Sequence, residues 1–201
     1  MSGSEVTHTA FPTRVVRHPE ADVPPELRAQ ALRLQEQAWP SEPGEAGDPS
    51  HDPALAPYSL LLVDGAGTVL AALDVLSKEI GHAGEGWRVA GLSRVVTDRT
   101  RQRAGHGRTL VAAALAEIRA DGADLGIFTC DRPLRGFYTS AGWRELPGSV
   151  LVGGTPEAPF PSDQWDKVTM AAFLTPRARA AAPRFTGARI GLYPGDVDRL
   201  W

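Results

Sequence analysis

Apolar positions along the chain follow two rhythms, and the change from one to the other falls at a single turn. Tyr58-Ser59-Leu60-Leu61-Leu62-Val63 is a short apolar run of the kind that forms a buried strand. Asp64-Gly65-Ala66-Gly67 supplies a turn, and Thr68 to Leu76 reads as the returning strand, with its pattern continuing toward Ile80. Gly81 to Gly86 turns the chain again, and Trp87 to Thr97 is a further strand. Beyond Gly107 the spacing becomes helical. Leu110, Ala113, Ala114 and Ile118 mark one face, and Gly122 is the stop.

The flanks complete the pattern. Thr13 to Arg17 predicts a short first strand, and Pro24-Pro25 opens a helix from Glu26 to Ala38 with Leu27, Ala31, Leu34 and Ala38 on one face. Pro40, Pro43, Pro49, Pro53 and Pro57 exclude regular structure over most of 40–57, and a loop of that length points to a substrate-facing role. After the central helix, Leu125 to Thr129 predicts a strand parallel to the preceding one, because a helix connects them. A short helix from about Pro133 to Ser140, a strand from Gly142-Trp143 to near Val152 and a last strand from Lys167 to Leu174 follow. The run Arg177-Ala178-Arg179 reads as a solvated connector. Three segments result: a flexible start at 1–13, a domain at 14–174 and a tail at 175–201 that packs near the site.

Composition sharpens this only in places. A chain of 201 residues, 42% hydrophobic, can bury the core of one domain. A net charge of −3 gives no reason to expect nucleic acid or an anionic membrane as partner. The single cysteine, Cys130, permits neither an intrachain disulfide nor a cysteine-built metal site, which suits the cytoplasm. Met1-Ser2-Gly3-Ser4-Glu5 has neither the basic start nor the apolar run of a signal peptide.

Local charge says more. Residues 99–108 hold Arg99, Arg101, Arg103 and Arg108 and no acid, where a strand passes through a glycine-bearing turn into a helix. Helix-start amides lack intrahelical partners and the dipole is positive there, so the stretch is suited to hold phosphate. Residues 42–52 hold Glu42, Glu45, Asp48 and Asp52 and no Lys or Arg, which suits a cation. No Gly-Lys-Ser/Thr ending marks a nucleotide loop, and antiparallel strands before the turn exclude a dinucleotide fold.

Gln102-x-x-Gly105-x-Gly107 after a hydrophobic strand, and Phe137-Tyr138…Ala141-Gly142-Trp143 downstream, resemble the two markers of the GCN5-related N-acetyltransferase (GNAT) superfamily. The resemblance covers roughly residues 58–152 and implies an α+β fold: a mixed, mostly antiparallel central sheet flanked by helices on both faces, in a single domain. It implies acetyl-CoA as co-substrate and no metal. Val95, Val96 and Thr97 would pair with the pantetheine arm. The amides of Arg103, Ala104, Gly105, His106, Gly107 and Arg108, with Gln102, would surround the pyrophosphate, the two glycines keeping side chains out of its way. Tyr138 would protonate the departing thiolate, and a strand amide near Val95, at a β-bulge, would meet the oxyanion.

Within the superfamily the chain is similar to the aminoglycoside 2′-N-acetyltransferases. The likeness lies in an acidic loop with Asp48 and Asp52, the stretch from Leu125 to Trp143, and the ending Gly195-Asp196-Val197…Trp201. It departs at two points: the strand acid of those enzymes falls at Ser93, and Asp198-Arg199-Leu200 precede Trp201. Asp48, Asp52, Asp131, Asp196 and the carboxylate of Trp201 would recruit a polycationic amine. A homodimer is common in the superfamily.

No side chain declares itself as general base. Ser93 is too weakly basic alone but can position water, and Asp74, Glu79 and Asp131 could act through water. His106 is read as facing solvent or phosphate, His82 has no metal-like partner spacing, and Cys130 is read as a small residue beside the thioester rather than an acyl carrier. The expected activity is direct acetyl transfer to a small-molecule amine. Acetylation of a peptide, lysine or other metabolite amine, and non-catalytic acyl-CoA binding, stay open beside it.

Overall fold

The structure, a computed structural model, describes residues 12–40 and 50–192. The candidates Asp48, Asp196 and Trp201 lie outside the described residues. Strand β1 (Arg14–Pro19) leads through a 3-10 turn at Glu20–Asp22 into helix α1 (Pro25–Ala38). Pro25 occupies the first helical turn, where its missing N–H costs nothing. A second 3-10 turn at Pro53–Leu55 leads to β2 (Tyr58–Val63), β3 (Val69–His82) and β4 (Glu85–Thr97). Ala83 (φ 51) and Gly84 (φ 78) form the tight β3–β4 turn, whose two left-handed residues match the twist of the strands they join. Helix α2 (His106–Ala120), β5 (Leu125–Asp131) and helix α3 (Arg135–Ser140) follow. Then come β6 (Arg144–Glu145), β7 (Val150–Gly154), β8 (Pro159–Pro161), β9 (Lys167–Phe173), helix α4 (Pro176–Phe185) and β10 (Arg189–Gly191).

Seven strands form the main sheet in the order β1-β2-β3-β4-β5-β9-β6, antiparallel except for the β4–β5 pair. β2 is buried along its whole length because both faces are covered. Leu60 and Leu62 join the cluster that holds Leu110, Val111, Ala114 and Ile118 of α2. Leu61 and Val63 join the cluster that holds Ala31 and Leu34 of α1. Alternation along a strand thus places one helix on each face, as expected of the α+β architecture.

Two expectations need correction. The strand read from Trp143 to Val152 is two strands in different sheets. Pro147, which has no N–H to give a ladder, and Gly148 at φ +70 interrupt it, so β6 pairs with β9 while β7 joins β10 and β8 in a separate three-stranded sheet. The run at 177–179 is no connector but the first turn of α4. Thr175 Oγ1 accepts from the Ala178 N–H at 3.1 Å, and Ala178, Ala181 and Phe185 are buried. Arg177 stacks 4.1 Å from the Trp87 ring and bonds Glu85. Among the described residues no helix is long and apolar enough to cross a membrane.

Candidate active site

The site begins where β4 parts from β5. Those strands pair only at Val89–Leu125 and Ala90–Gly126, although each runs several residues further. On its other edge β4 keeps pairing with β3, but the register slips between Ala72↔Val96 and Asp74↔Ser93. Three steps on β4 match two on β3, so Leu73 faces both Arg94 and Val95. Arg94 takes φ 50 to absorb the extra residue. The bulge tilts β4 away from β5 and leaves residues 91–97 without a β5 ladder.

A cavity of about 750 Å³ adjoins this gap. Val95 and Thr97 of β4 line it, with every residue from Gln102 to Arg108 and, across from them, Leu134, Phe137, Tyr138 and Ser140. Between Val95 and Thr97 the Val96 side chain turns the other way, into the core under α1. The turn is shaped by local bonds: Asp98 Oδ1 accepts from both the N–H and the Oγ1–H of Thr100 at 2.8 Å. Gly105, at φ 85, caps α2 with no side-chain bond. The amides of His106, Gly107 and Arg108 precede the first intrahelical bond, from the Thr109 N–H to the Gly105 carbonyl, so they are free for an anion. Gly107 has a packing reason besides the expected one. A Cβ there would stand 2.7 Å from Thr97 Oγ1 and 3.2 Å from the Phe137 ring.

Tyr138 is buried, with its ring edge-on to Phe128 and Phe137 at 4.9 Å. Burial pushes its phenol above the usual range, and the nearby Cys130 and Asp131 add to the effect. The phenol is therefore a protonated donor at neutral pH. Burial, with Asp131 beside it, also pushes the Cys130 thiol up to about 11, which suppresses thiolate chemistry there.

Ser93 lies two residues before Val95 on β4, and behind it is a group of buried polar side chains that the sequence does not announce. His51 Nε2 is 3.0 Å from Ser93 Oγ, and His51 Nδ1 is 2.9 Å from Glu20 Oε1. Glu20 Oε2 also accepts from the His51 backbone N–H at 2.9 Å, which fixes the carboxylate against both ends of the residue. Glu20 and His51 are both buried. Glu20 is itself tied down, its N–H donating to the Pro57 carbonyl at 3.0 Å and its carbonyl accepting from the Arg28 guanidinium. Asp74, opposite Ser93 in register, accepts from Ser59 Oγ at 2.6 Å and is raised by burial, against the pull of Ser59, His51 and Arg94. Arg94 Nη1 lies 3.7 Å from Glu20 Oε1 and 4.0 Å from Asp74 Oδ2.

Glu20, His51 and Asp74 offer ligand atoms within 4.8 Å of one another, the spacing of a small metal cage. Here that donor set is already committed. Both imidazole nitrogens are within hydrogen-bond distance of other groups, and the Arg94 guanidinium stands as the cation between the two carboxyl groups.

The other candidates are dispersed. Asp52 caps the 3-10 turn at Pro53–Leu55, accepting from the Ala54 N–H at 2.7 Å. Asp131, exposed at the end of β5, pairs with Lys167 at 2.8 Å. Glu79 lines a separate cavity with Ala54 and Leu55. His82 Nε2 donates to the Arg184 carbonyl at 2.9 Å and packs its ring against Phe185, a structural position. The sequence reading missed both His51 and Glu20; the one available signal was a histidine among the acids of the proline-rich loop, and Glu20 carried none.

A family model described as an acetyltransferase (GNAT) domain matches residues 23–146. Comparison with curated proteins gave no match. Among solved structures, an acyl-CoA N-acyltransferase from Pseudomonas aeruginosa is 17% identical with a TM-score of 0.53, covering 80% of this chain and 99% of its own. An acetyltransferase of the GNAT family from Staphylococcus aureus is 11% identical with a TM-score of 0.53, covering 82% and 100%. An aminoglycoside acetyltransferase from an uncultured soil metagenomic sample, in complex with trehalose, is 19% identical with a TM-score of 0.52, covering 65% and 87%.

Proposed function

The chain belongs to the acetyltransferase (GNAT) domain family, and from that premise we propose that it transfers the acetyl group of acetyl-CoA directly to a primary amine of a small molecule. An amino sugar of the aminoglycoside kind is the acceptor to test first. The observation that carries the reading is one cavity whose walls hold both the arginine-glycine turn and Tyr138, with Val95 of the bulged strand between them.

In this reading the free amides at the start of α2 take the pyrophosphate, with Arg103 and Arg108 beside them. The edge of β4 beyond Ala90, left open toward β5, accepts the pantetheine arm as an added strand. Val95, freed from one-to-one pairing by the bulge, presents its amide to the thioester oxygen as charge develops there. The neutral amine attacks the carbonyl carbon, the C–S bond breaks, and the Tyr138 phenol gives its proton to the coenzyme A sulfur. The amine's remaining excess proton restores the phenol. The net products are the acetamide, coenzyme A thiol and the proton first lost by the ammonium.

For the acceptor, the support is the likeness to an aminoglycoside acetyltransferase. The acids proposed to recruit the acceptor are Asp48, Asp52, Asp131, Asp196 and the Trp201 carboxylate. The test is thiol release from acetyl-CoA over a panel of aminoglycosides, polyamines and peptides. Release with cationic amino sugars, and far less with peptides, is expected. Tight acetyl-CoA binding without release on any amine would instead identify a binding module.

A further inference from the structure

We propose that Ser93, His51 and Glu20 form a proton relay that takes the proton from the acceptor ammonium before it attacks the thioester. This rests on the acetyltransferase reading and adds to it the missing base. The geometry is a hydroxyl, a buried imidazole and a buried carboxylate in line: 3.0 Å from Ser93 Oγ to His51 Nε2, then 2.9 Å from His51 Nδ1 to Glu20 Oε1. A carboxylate at Nδ1 sets the tautomer, because that nitrogen must donate, and it leaves Nε2 as the acceptor of the Ser93 hydroxyl proton. Ser93 itself is half-buried on β4, two residues from Val95, and its oxygen keeps lone pairs for a second partner. A hydroxyl alone is too weak a base, and a buried imidazole alone does not reach the acceptor. Joined, they move a proton without a step that leaves either group charged and unpaired.

The transfer balances. The ammonium N–H proton passes to Ser93 Oγ as the Ser93 proton passes to His51 Nε2, so Ser93 ends neutral and His51 becomes imidazolium. The new charge is met by Glu20 at 2.9 Å and by Asp74 Oδ2 at 4.0 Å, on β3. Arg94 on β4 and Arg28 on α1 also face the group and limit its negative field, Arg94 through the two carboxyl groups and Arg28 through the Glu20 carbonyl. The imidazolium returns its proton to solvent after product leaves. Ser93 is the group that touches the acceptor, and His51 and Glu20 act through it.

The arrangement also explains why the strand acid of related enzymes can be absent at Ser93. The carboxylate has been moved one layer back, and a histidine connects it to the surface of β4.

The test uses the full chain, acetyl-CoA and the best acceptor of the amine panel, followed by thiol release from pH 6 to 10. In the wild type, kcat/KM should reach its plateau well below the pKa of the free amine. In H51Q and S93A the rising limb should move up to the amine's own ionisation, with a loss of about 100-fold at pH 7. E20Q should fall between. S93T, which keeps the hydroxyl, should restore the wild-type limb, and the H51Q/S93A double variant should lose no more than either single one. Acetyl-CoA affinity should stay within about twofold throughout, which reports correct folding, since none of the three residues lines the cofactor cavity.

An unchanged limb in H51Q and S93A, with wild-type release intact, would overturn the relay and leave the acetyltransferase reading standing. Amine-independent thiol release with an acetyl group trapped on Ser93 would overturn it in favour of an acyl-serine route. No release by the wild type with any amine would overturn both.

Discussion

At the scale of single residues, the chemistry divides between a group that gives a proton and groups that receive one. Tyr138 is held protonated because its burial disfavours the phenolate, so it can act as an acid across the whole neutral range. Y138F should lower kcat about 10- to 100-fold with little change in the KM for acetyl-CoA, checked by steady-state thiol release. The same burial has a sign in stability. The phenol is raised in the fold, so its contribution is complete below the unfolded value near ~10 and is lost as pH rises from there toward the folded value. Denaturant unfolding should therefore show stability falling above pH ~10, with a shallower fall in Y138F. Tyr138 was legible from the sequence because its motif is local: an aromatic pair, then Gly142-Trp143. His51 was not. Its partners Glu20 and Ser93 lie 31 and 42 positions away, and nothing along the chain marks which histidine a fold will bury against which carboxylate.

At the scale of elements, the strands and α2 could be read from period and punctuation, since β2, β3 and β4 are bounded by glycine and aspartate turns. What periodicity cannot show is where paired strands part. The β4–β5 ladder ends at Ala90–Gly126, and Gly126 is the residue against which Trp143 closes. A Cβ at Gly126 would stand 2.6 Å from two atoms of the Trp143 ring, which is itself fully buried and edge-on to Phe128 at 4.8 Å. The Gly142-Trp143 marker thus works as a wedge that pins β5 beside β4 at that point only. G126A should destabilise the domain by about 1–3 kcal/mol, read from the urea midpoint, because the indole has no free side to move into. It should also weaken acetyl-CoA binding, because the strand gap is held open from this end. The break between β6 and β7 escaped the sequence reading because a two-residue strand such as β6 has no period to detect, and α4 escaped because it is short and carries Pro183 inside it, which argues against a helix.

At the scale of the whole molecule, charge is sorted by depth. The arginines of 99–108 stand on the exposed turn around the cavity, whereas the carboxyl groups that matter to the relay, Glu20 and Asp74, are sunk on the other side of β4. The cofactor end should therefore obey the electrostatics of exposed groups. Arg103 and Arg108 line the cavity, and coenzyme A brings several negative phosphate oxygens to it. R103A and R108A should each weaken acetyl-CoA binding about tenfold at low salt, the equivalent of about 1.4 kcal/mol. The deficit should shrink toward 0.5 M salt as the Debye length contracts below ~5 Å. R189A, at an arginine paired with Asp163 outside the cavity, should leave affinity and its salt dependence unchanged. The relay should behave in the opposite way, since buried pairs are screened far less. The pH limb that is lost in H51Q and S93A should hold its position across the same salt range. A limb that moved with salt as steeply as acetyl-CoA affinity would place the titrating group on the exposed turn rather than behind Ser93.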